Sequence, residues 1–378
     1  MDLNKKSLAQ HKKHKGKIEI KNKVPLATQE DLSLYYTPGV AEPCRQILKS
    51  PEKINDYTNY SNTIAIITDG SAILGLGNIG ARAGLPVMEG KANLFKKFAN
   101  IDAYPILLDT QDPKEIIETV MHIAPGFAGI NLEDIAAPKC IEIEKELDKK
   151  LDIPVFHDDQ HGTAIAVMAG LENSLKLAHK KWSDIKIVIN GAGSAGMAIA
   201  TLLSEKKPKD IILVDKFGIL CHKNDLEMNP YQHKCLKFTN QNNKEGQLKD
   251  ALKSADIFIG VSAPNILKPE WIKLMNKKPI IFAMANPDPE ILPAKAKKAG
   301  AFIVATGRSD YPNQINNALV FPGLFRAALD YKFVCIDTQD KLKCASAIAN
   351  TISKPALNKI VPTLDDKNLL PNILKYLK

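Results

Sequence analysis

Compact apolar runs of strand length alternate with longer amphipathic stretches along the first half of the chain. Residues 63–70 (TIAIITDG), 101–110 (IDAYPILLDT), 126–132 (GFAGINL) and 153–159 (IPVFHDD) are such runs, and they predict strands. Between them, 112–123 and 137–150 predict helices; in the second, Ile141, Ile143 and Leu147 stand among Lys and Glu. Strand and helix alternating at this spacing predict parallel α/β units.

The pattern changes at residue 160. A long stretch of small and apolar residues (GTAIAVMAGLENSLKLAHKK) predicts one helix, and a second, more regular α/β series follows it. Its strands are 185–190, 211–215, 255–261, 279–286 and 302–307, a doubly wound layout, with helical pattern again from about 321. Two domains are expected, 1–160 and 161–378, the second ending in a helical segment. The Asn/Lys-rich stretch 221–250 reads as a surface excursion.

Composition changes this picture little. The 378 residues suit two or three domains at ~150 residues each. The 45% hydrophobic and 25% charged content is that of a globular protein, and no apolar run nears the ~20 residues of a membrane span. The net charge of +9 invites a nucleic-acid reading, but residues 1–23 alone carry +6 of it, without interleaved aromatics. No nucleic-acid or membrane partner is therefore expected. Six cysteines without framework spacing point to reduced thiols and a cytoplasmic protein.

The pattern GxGxxG occurs twice. Gly191, Gly193, Ser194, Ala195 and Gly196 follow the strand 185–190 and open a helix, and the next strand ends in Asp215. Glycines there let backbone N–H groups approach a pyrophosphate, the helix N-terminus favours its charge, and the carboxylate accepts from ribose hydroxyls. Asp215 favours NAD, since it repels a 2′-phosphate; Lys216 beside it softens that preference. The second match, Gly75 to Gly80, lacks this context: Gly84 and Pro86 are expected to interrupt any helix after it. It reads as a substrate-domain loop.

Two acidic pairs end strands of the first domain: Glu133-Asp134 and Asp158-Asp159. Ligands bind at the carboxyl edge of a parallel sheet, and converging carboxylates call for a cation, with hard oxygen ligands suiting Mg²⁺ or Mn²⁺. Helix N-capping is the plainer alternative. Lys91 follows Gly90 and is expected at the start of a helix, where the helix N-terminus and a divalent cation would lower its pKa toward that of a general base; a solvated surface lysine is the plainer alternative. Tyr36, before the Pro38-Gly39 turn, reads as a general acid or a buried phenol. Cys221, His222, His233 and Cys235 do not match zinc spacings.

These segments together resemble the malic enzymes, in particular the short prokaryotic form. KIEI, PLATQEDLSLYYTPGVAEPC, TDGSAILGLGNIG, AGLPVMEGKANLF, NLEDI, PVFHDDQHGTAIA, GAGSAG, MANPDPE and GRSDYPNQINNALVFPGLFRAAL follow the family's order from about residue 17 to 330. The resemblance implies an N-terminal α/β substrate and metal domain, then a doubly wound Rossmann-type NAD(P)-binding domain with C-terminal helices. It implies oxidative decarboxylation of L-malate to pyruvate and CO₂ with NAD (or NADP) and Mg²⁺ or Mn²⁺, in a homodimer. On matching positions it implies Tyr36 as general acid and Lys91 as general base. It implies Glu133, Asp134 and Asp159 as metal ligands, with Asp158 orienting them. Asn286 and Asn317 would meet substrate or the nicotinamide ribose, and the glycine loop from Gly191 to Gly196 the pyrophosphate. Two positions depart: larger members carry Arg where Ala72 stands, and short members carry an acid where Arg82 stands.

Two rival readings stay open at this point. One is an NAD-dependent dehydrogenase acting on another 2-hydroxy or 2-amino acid without decarboxylation, which would not need the acidic cluster. The other is a non-catalytic basic protein binding RNA or NAD.

Overall fold

The computed structural model describes residues 3–73 and 75–378, the side chains of 224–226 apart. Met1 and Asp2 of the basic arm lie outside the described residues.

Two sheets organise the chain. The first has strands β1 (Thr63–Thr68), β2 (Asp102–Leu107), β3 (Ile130–Leu132) and β4 (Val155–His157) in the order β2-β1-β3-β4, all parallel. β1, β3 and β4 are fully buried, which is why they read as unbroken apolar runs rather than alternating ones. The second sheet has β5 (Lys186–Asn190), β6 (Asp210–Asp215), β7 (Gly218–Ile219), β8 (Ile257–Gly260), β9 (Ile280–Ala283) and β10 (Ile303–Thr306), in the order β10-β9-β8-β5-β6-β7. Only β7 runs antiparallel among them. This is the Rossmann-type arrangement, and its order reverses between β5 and β8, at the end of β5 where Gly191 stands.

The helix Asp158–Ala178 joins the two halves. It is buried on most of its circumference, against the helices Ser194–Ser204 and Thr338–Asn350, which is why its sequence is small and apolar all round. The C-terminal helix Phe321–Asp330 packs back on the first sheet's helix Ala81–Ala99. Phe95 meets Phe321 (ring centroids 4.6 Å apart) and Phe325 (5.4 Å), and Phe325 meets Phe156 (5.9 Å).

Two expectations need correction. Gly84 and Pro86 do not interrupt a helix: Ala81–Ala99 runs through both. Gly84 is there because a Cβ would come within 2.6 Å of Ile73 Cδ1, and Pro86 gives up an amide while its carbonyl accepts from Lys17 Nζ (2.5 Å). Nor is 221–250 a free surface excursion, since Cys221, Met228, Gln232, Cys235, Thr239 and Asn240 in it are buried. Asn240 Nδ2 donates to Leu220 O and Lys244 O (2.9 Å each), so its polar side chain fastens the segment from inside.

Candidate active site

The carboxyl ends of β1, β3 and β4 are neighbours, and each delivers an acid: Asp69, then Glu133 and Asp134, then Asp158 and Asp159. The turn after β1 is pinned to the loop after β3. Ser71 Oγ donates to Asp69 Oδ1 (2.6 Å) and accepts from Ala136 N (2.8 Å), while Ala72 N donates to Asp134 O (2.9 Å). Asp69 also pairs with Lys139 at 2.5 Å. Gly70 adopts φ +67°, and a Cβ there would strike the Gly80 backbone at 2.2 Å, so the loop from Gly75 to Gly80 folds back over this turn.

Lys91 enters this group from the middle of the Ala81–Ala99 helix and not from a helix start. It is 6% exposed. Its ammonium donates to Glu133 Oε1 (2.9 Å) and to Asp158 Oδ2, and lies 3.9 Å from the centre of the Phe321 ring. Asn131 Nδ2 holds Glu133 Oε2 (3.0 Å), and Asp159 Oδ2 accepts from Asp134 N (2.8 Å). Asp158 and Asp159 begin the Asp158–Ala178 helix, where the backbone dipole favours negative charge. Glu133 and Asp134 do not cap a helix: Pro138 holds that position before Lys139–Lys150.

The expected fall in the Lys91 pKa supposed a cation beside it; the protein's own groups act the other way. Burial pulls the Lys91 pKa down, but Asp158, Glu133 and Asp159 outweigh it and hold the ammonium above the ordinary lysine range. Burial raises the carboxyls in turn, against the pull of Lys91. Asp159 is pushed up to about 6 and Asp158 to about 7, and Glu133 also rises.

The donor chemistry suits a hard divalent cation: Glu133, Asp134, Asp158 and Asp159 all offer oxygen, and Asp158 Oδ1 is buried with no hydrogen-bond partner among the described residues. Gly162 leaves that oxygen its space, since a Cβ there would lie 1.9 Å from it. Yet among the described residues no three such side chains gather in a metal-holding arrangement; the Lys91 ammonium bridges Glu133 and Asp158 instead. Nor do Cys221, His222, His233 and Cys235 form a metal group among the described residues.

The dinucleotide loop has the shape its sequence demands. Gly191 adopts φ +117°, with a would-be Cβ 2.6 Å from Val261 O, and Gly196 packs its α-carbon on Gly191 O. Gly193 faces open space, a cradle a side chain would fill. Ser194, Ala195 and Gly196 form the first turn of the helix Ser194–Ser204, whose amides aim at that space. Asp215 ends β6, and its Oδ1 accepts from Phe217 N (2.8 Å). Asn286 lies where the halves meet: a Cβ on Gly75 would come 2.6 Å from its carbonyl oxygen, and its Nδ2 faces Gly307. Asn317 stands beside Gly162, one turn beyond Asp158.

Tyr36 stands apart. Its side chain is 67% exposed just past the Gln29–Tyr35 helix, and no hydrogen bond ties it to the cluster. Arg82 is exposed in the first turn of the Lys91 helix, a long way along that helix from Lys91. Phe321, Asn131, Asp69 and Glu290 are the residues that sequence reasoning did not single out. Glu290 is fully buried and accepts from Ser262 N (3.1 Å) and Ala285 N (3.0 Å), bracing the loop that carries Asn286. It closes the segment MANPDPE, where a carboxylate after two prolines was the available signal.

Models of two domains match the chain: "Malic enzyme, N-terminal domain" over residues 15–148 and "Malic enzyme, NAD binding domain" over 160–371. The chain belongs to the malic enzyme family. A bifunctional malic/malolactic enzyme of Bacillus subtilis is 51% identical over 377 residues, covering 99% of this chain and 92% of the relative. An NAD-dependent malic enzyme of Geobacillus stearothermophilus is 51% identical over 360 residues, 95% of this chain and 75% of the relative. The crystal structure of an NAD-dependent malic enzyme from Thermotoga maritima superposes with a TM-score of 0.95 at 48% identity, covering 100% of this chain and 99% of that one. As a malic-enzyme-family chain it is an oxidoreductase with an NAD(P)-binding domain. No helix among the described residues is long and apolar enough to cross a membrane.

Proposed function

We propose that the chain catalyses the divalent-metal-dependent oxidative decarboxylation of L-malate to pyruvate and CO₂, reducing NAD in preference to NADP. The observation that carries this reading is the buried Lys91 ammonium joined to Glu133 and Asp158 at the carboxyl edge of the first sheet. Simple hydride transfer needs a base; a buried base set among several carboxylates suits a reaction that also needs a cation.

Glu133, Asp134 and Asp159 would hold Mg²⁺ or Mn²⁺, with Asp158 orienting Lys91 and the cluster together. Held there, the ion would supply Lewis-acid chemistry and positive charge to offset the acids around Lys91. Lys91 then accepts the C2 hydroxyl proton as hydride leaves C2 for the nicotinamide ring. The product is a β-keto acid, and the C3–C4 bond electrons pass to the enolate as C4 departs as CO₂. A proton returned to C3, assigned to Tyr36, completes pyruvate. Asn286 and Asn317 orient substrate and nicotinamide ribose, and Gly191, Gly193 and the Ser194–Gly196 turn hold the pyrophosphate.

Tyr36 is exposed together with Leu32, Leu34, Tyr35 and Val40 on the same short segment. An apolar face of this kind supports a homodimer, in which a second copy covers the segment and Tyr36 reaches an active site. Unpaired thiols at all six cysteines support the cytoplasm as the working compartment.

The test is absorbance of reduced nicotinamide with malate and NAD or NADP, with and without Mn²⁺, in wild type and Lys91→Ala. Metal-dependent turnover yielding pyruvate, lost in the variant, is expected. Metal-independent turnover, or full activity in Lys91→Ala, overturns the reading.

A further inference from the structure

A cavity of about 460 Å³ lies against the helix Lys139–Lys150. Its walls come mainly from the helix Lys139–Lys150, the helix Ser194–Ser204 that the glycine loop opens, the helix Pro230–Cys235 and the start of Thr338–Asn350, with Val155, Gln160 and His161 behind them. Most of the lining is apolar, including Met197, Leu202, Phe238 and Ile336. None of the residues assigned to catalysis, metal or dinucleotide lines it.

Glu144 and Lys341 are the charged side chains that set its character. Glu144 is fully committed: its oxygens accept from His157 N (2.7 Å), His161 Nε2 (2.9 Å) and Gln160 Nε2 (3.3 Å). Burial would raise its pKa, but His161, with Lys341 and His157 behind it, holds the carboxyl at about 2. Lys341 is the opposite case. Its ammonium makes no hydrogen bond or ion pair with any described residue, although it is half-buried and within electrostatic reach of Glu144, Asp148 and Asp337. A partly desolvated cation without a hydrogen-bonded partner is free to take an anionic one. The mouth is open to solvent, and the exposed Lys145 and Lys234 stand at the lining beside Asp148.

We propose that this cavity binds a small organic carboxylate with an apolar body, its carboxylate on the Lys341 ammonium and its body against Met197, Leu202, Phe238 and Ile336. The site has a direct line to the chemistry. Glu144 holds the backbone amide of His157, the residue before Asp158, and Met197 belongs to the helix whose first turn faces the pyrophosphate space. A ligand here therefore acts as an effector on kcat and not as a competitor of the substrate.

Benzoate is the probe, with benzamide as its uncharged counterpart, titrated calorimetrically against the full chain. Heat of binding does not depend on turnover, so the outcome stands whether or not malate is the substrate. Saturable benzoate binding is expected, at least tenfold weaker in Lys341→Gln and in Ala198→Phe, which fills the cavity, with benzamide showing none. In malate turnover benzoate should change kcat with little change in the KM for malate. Absence of saturable binding, equal affinity in the folded variants, or inhibition purely competitive with malate each overturns the proposal. Should Lys341→Gln fail to fold, Ala198→Phe still decides the case.

Discussion

The Lys91 ammonium sits 3.9 Å from the centre of the Phe321 ring, with Glu133 and Asp158 accepting its protons. The ring comes from the helix Phe321–Asp330 and the lysine from the first domain's helix, so one contact fixes the base and locks the halves together. A desolvated cation–π contact contributes up to about 2 kcal/mol. Phe321→Leu should keep the apolar volume yet lower kcat/KM for malate roughly tenfold or more on that figure, leaving the KM for NAD nearly unchanged. Steady-state kinetics on both substrates check this.

Chelation separates the metal's chemistry from its structural weight. Lys91 already neutralises Glu133 and Asp158 in the metal-free arrangement, so the acids do not repel one another unchecked. Treatment with EDTA should abolish malate-dependent NAD reduction while far-ultraviolet circular dichroism stays that of the folded protein. Added Mn²⁺ should restore activity without a refolding lag. A chelated protein that unfolds would contradict this arrangement.

Parallel strands were easy to read because burial on both faces makes them apolar throughout, as in β1 and β5. Glycines were harder, because one residue type serves three purposes. Gly84 makes room for Ile73, Gly162 for the Asp158 carboxylate, and Gly193 for a ligand; only the last belongs to a motif with a strand and helix in register. Treating Gly84 as a helix breaker misplaced Lys91 at a helix start. The acids around Lys91 were hidden for a related reason: which carboxylates reach an ammonium is set by strand order, and β3 and β4 become neighbours only in the folded sheet. In 221–250, polar composition concealed internal fastenings, such as Gln232 Nε2 on Ala192 O (3.1 Å) behind the glycine loop.

The glycines of that loop should separate by assay. A Cβ at Gly193 meets nothing within 4 Å, so Gly193→Ala should leave the melting temperature nearly unchanged while raising the KM for NAD. At Gly196 the Cβ would lie 1.7 Å from Gly191 O. Gly196→Ala should therefore destabilise the fold itself, by about 1–3 kcal/mol as in other overpacked sites. Thermal denaturation and cofactor titration, run on both variants, distinguish the two.

Cofactor choice rests on Asp215. One of its oxygens is spent on Phe217 N at 2.8 Å, which aims the other outward from the end of β6 for a ribose hydroxyl. A 2′-phosphate brought to that place would face a carboxylate, at a cost only partly offset by Lys216 next in the chain. Asp215→Ser keeps an acceptor for Phe217 N and removes the charge. The ratio of kcat/KM for NAD over NADP should fall at least about tenfold, mainly because NADP improves once the repulsion is gone. If NAD worsens instead and NADP stays poor, the carboxylate serves the turn and the discrimination lies elsewhere in the loop.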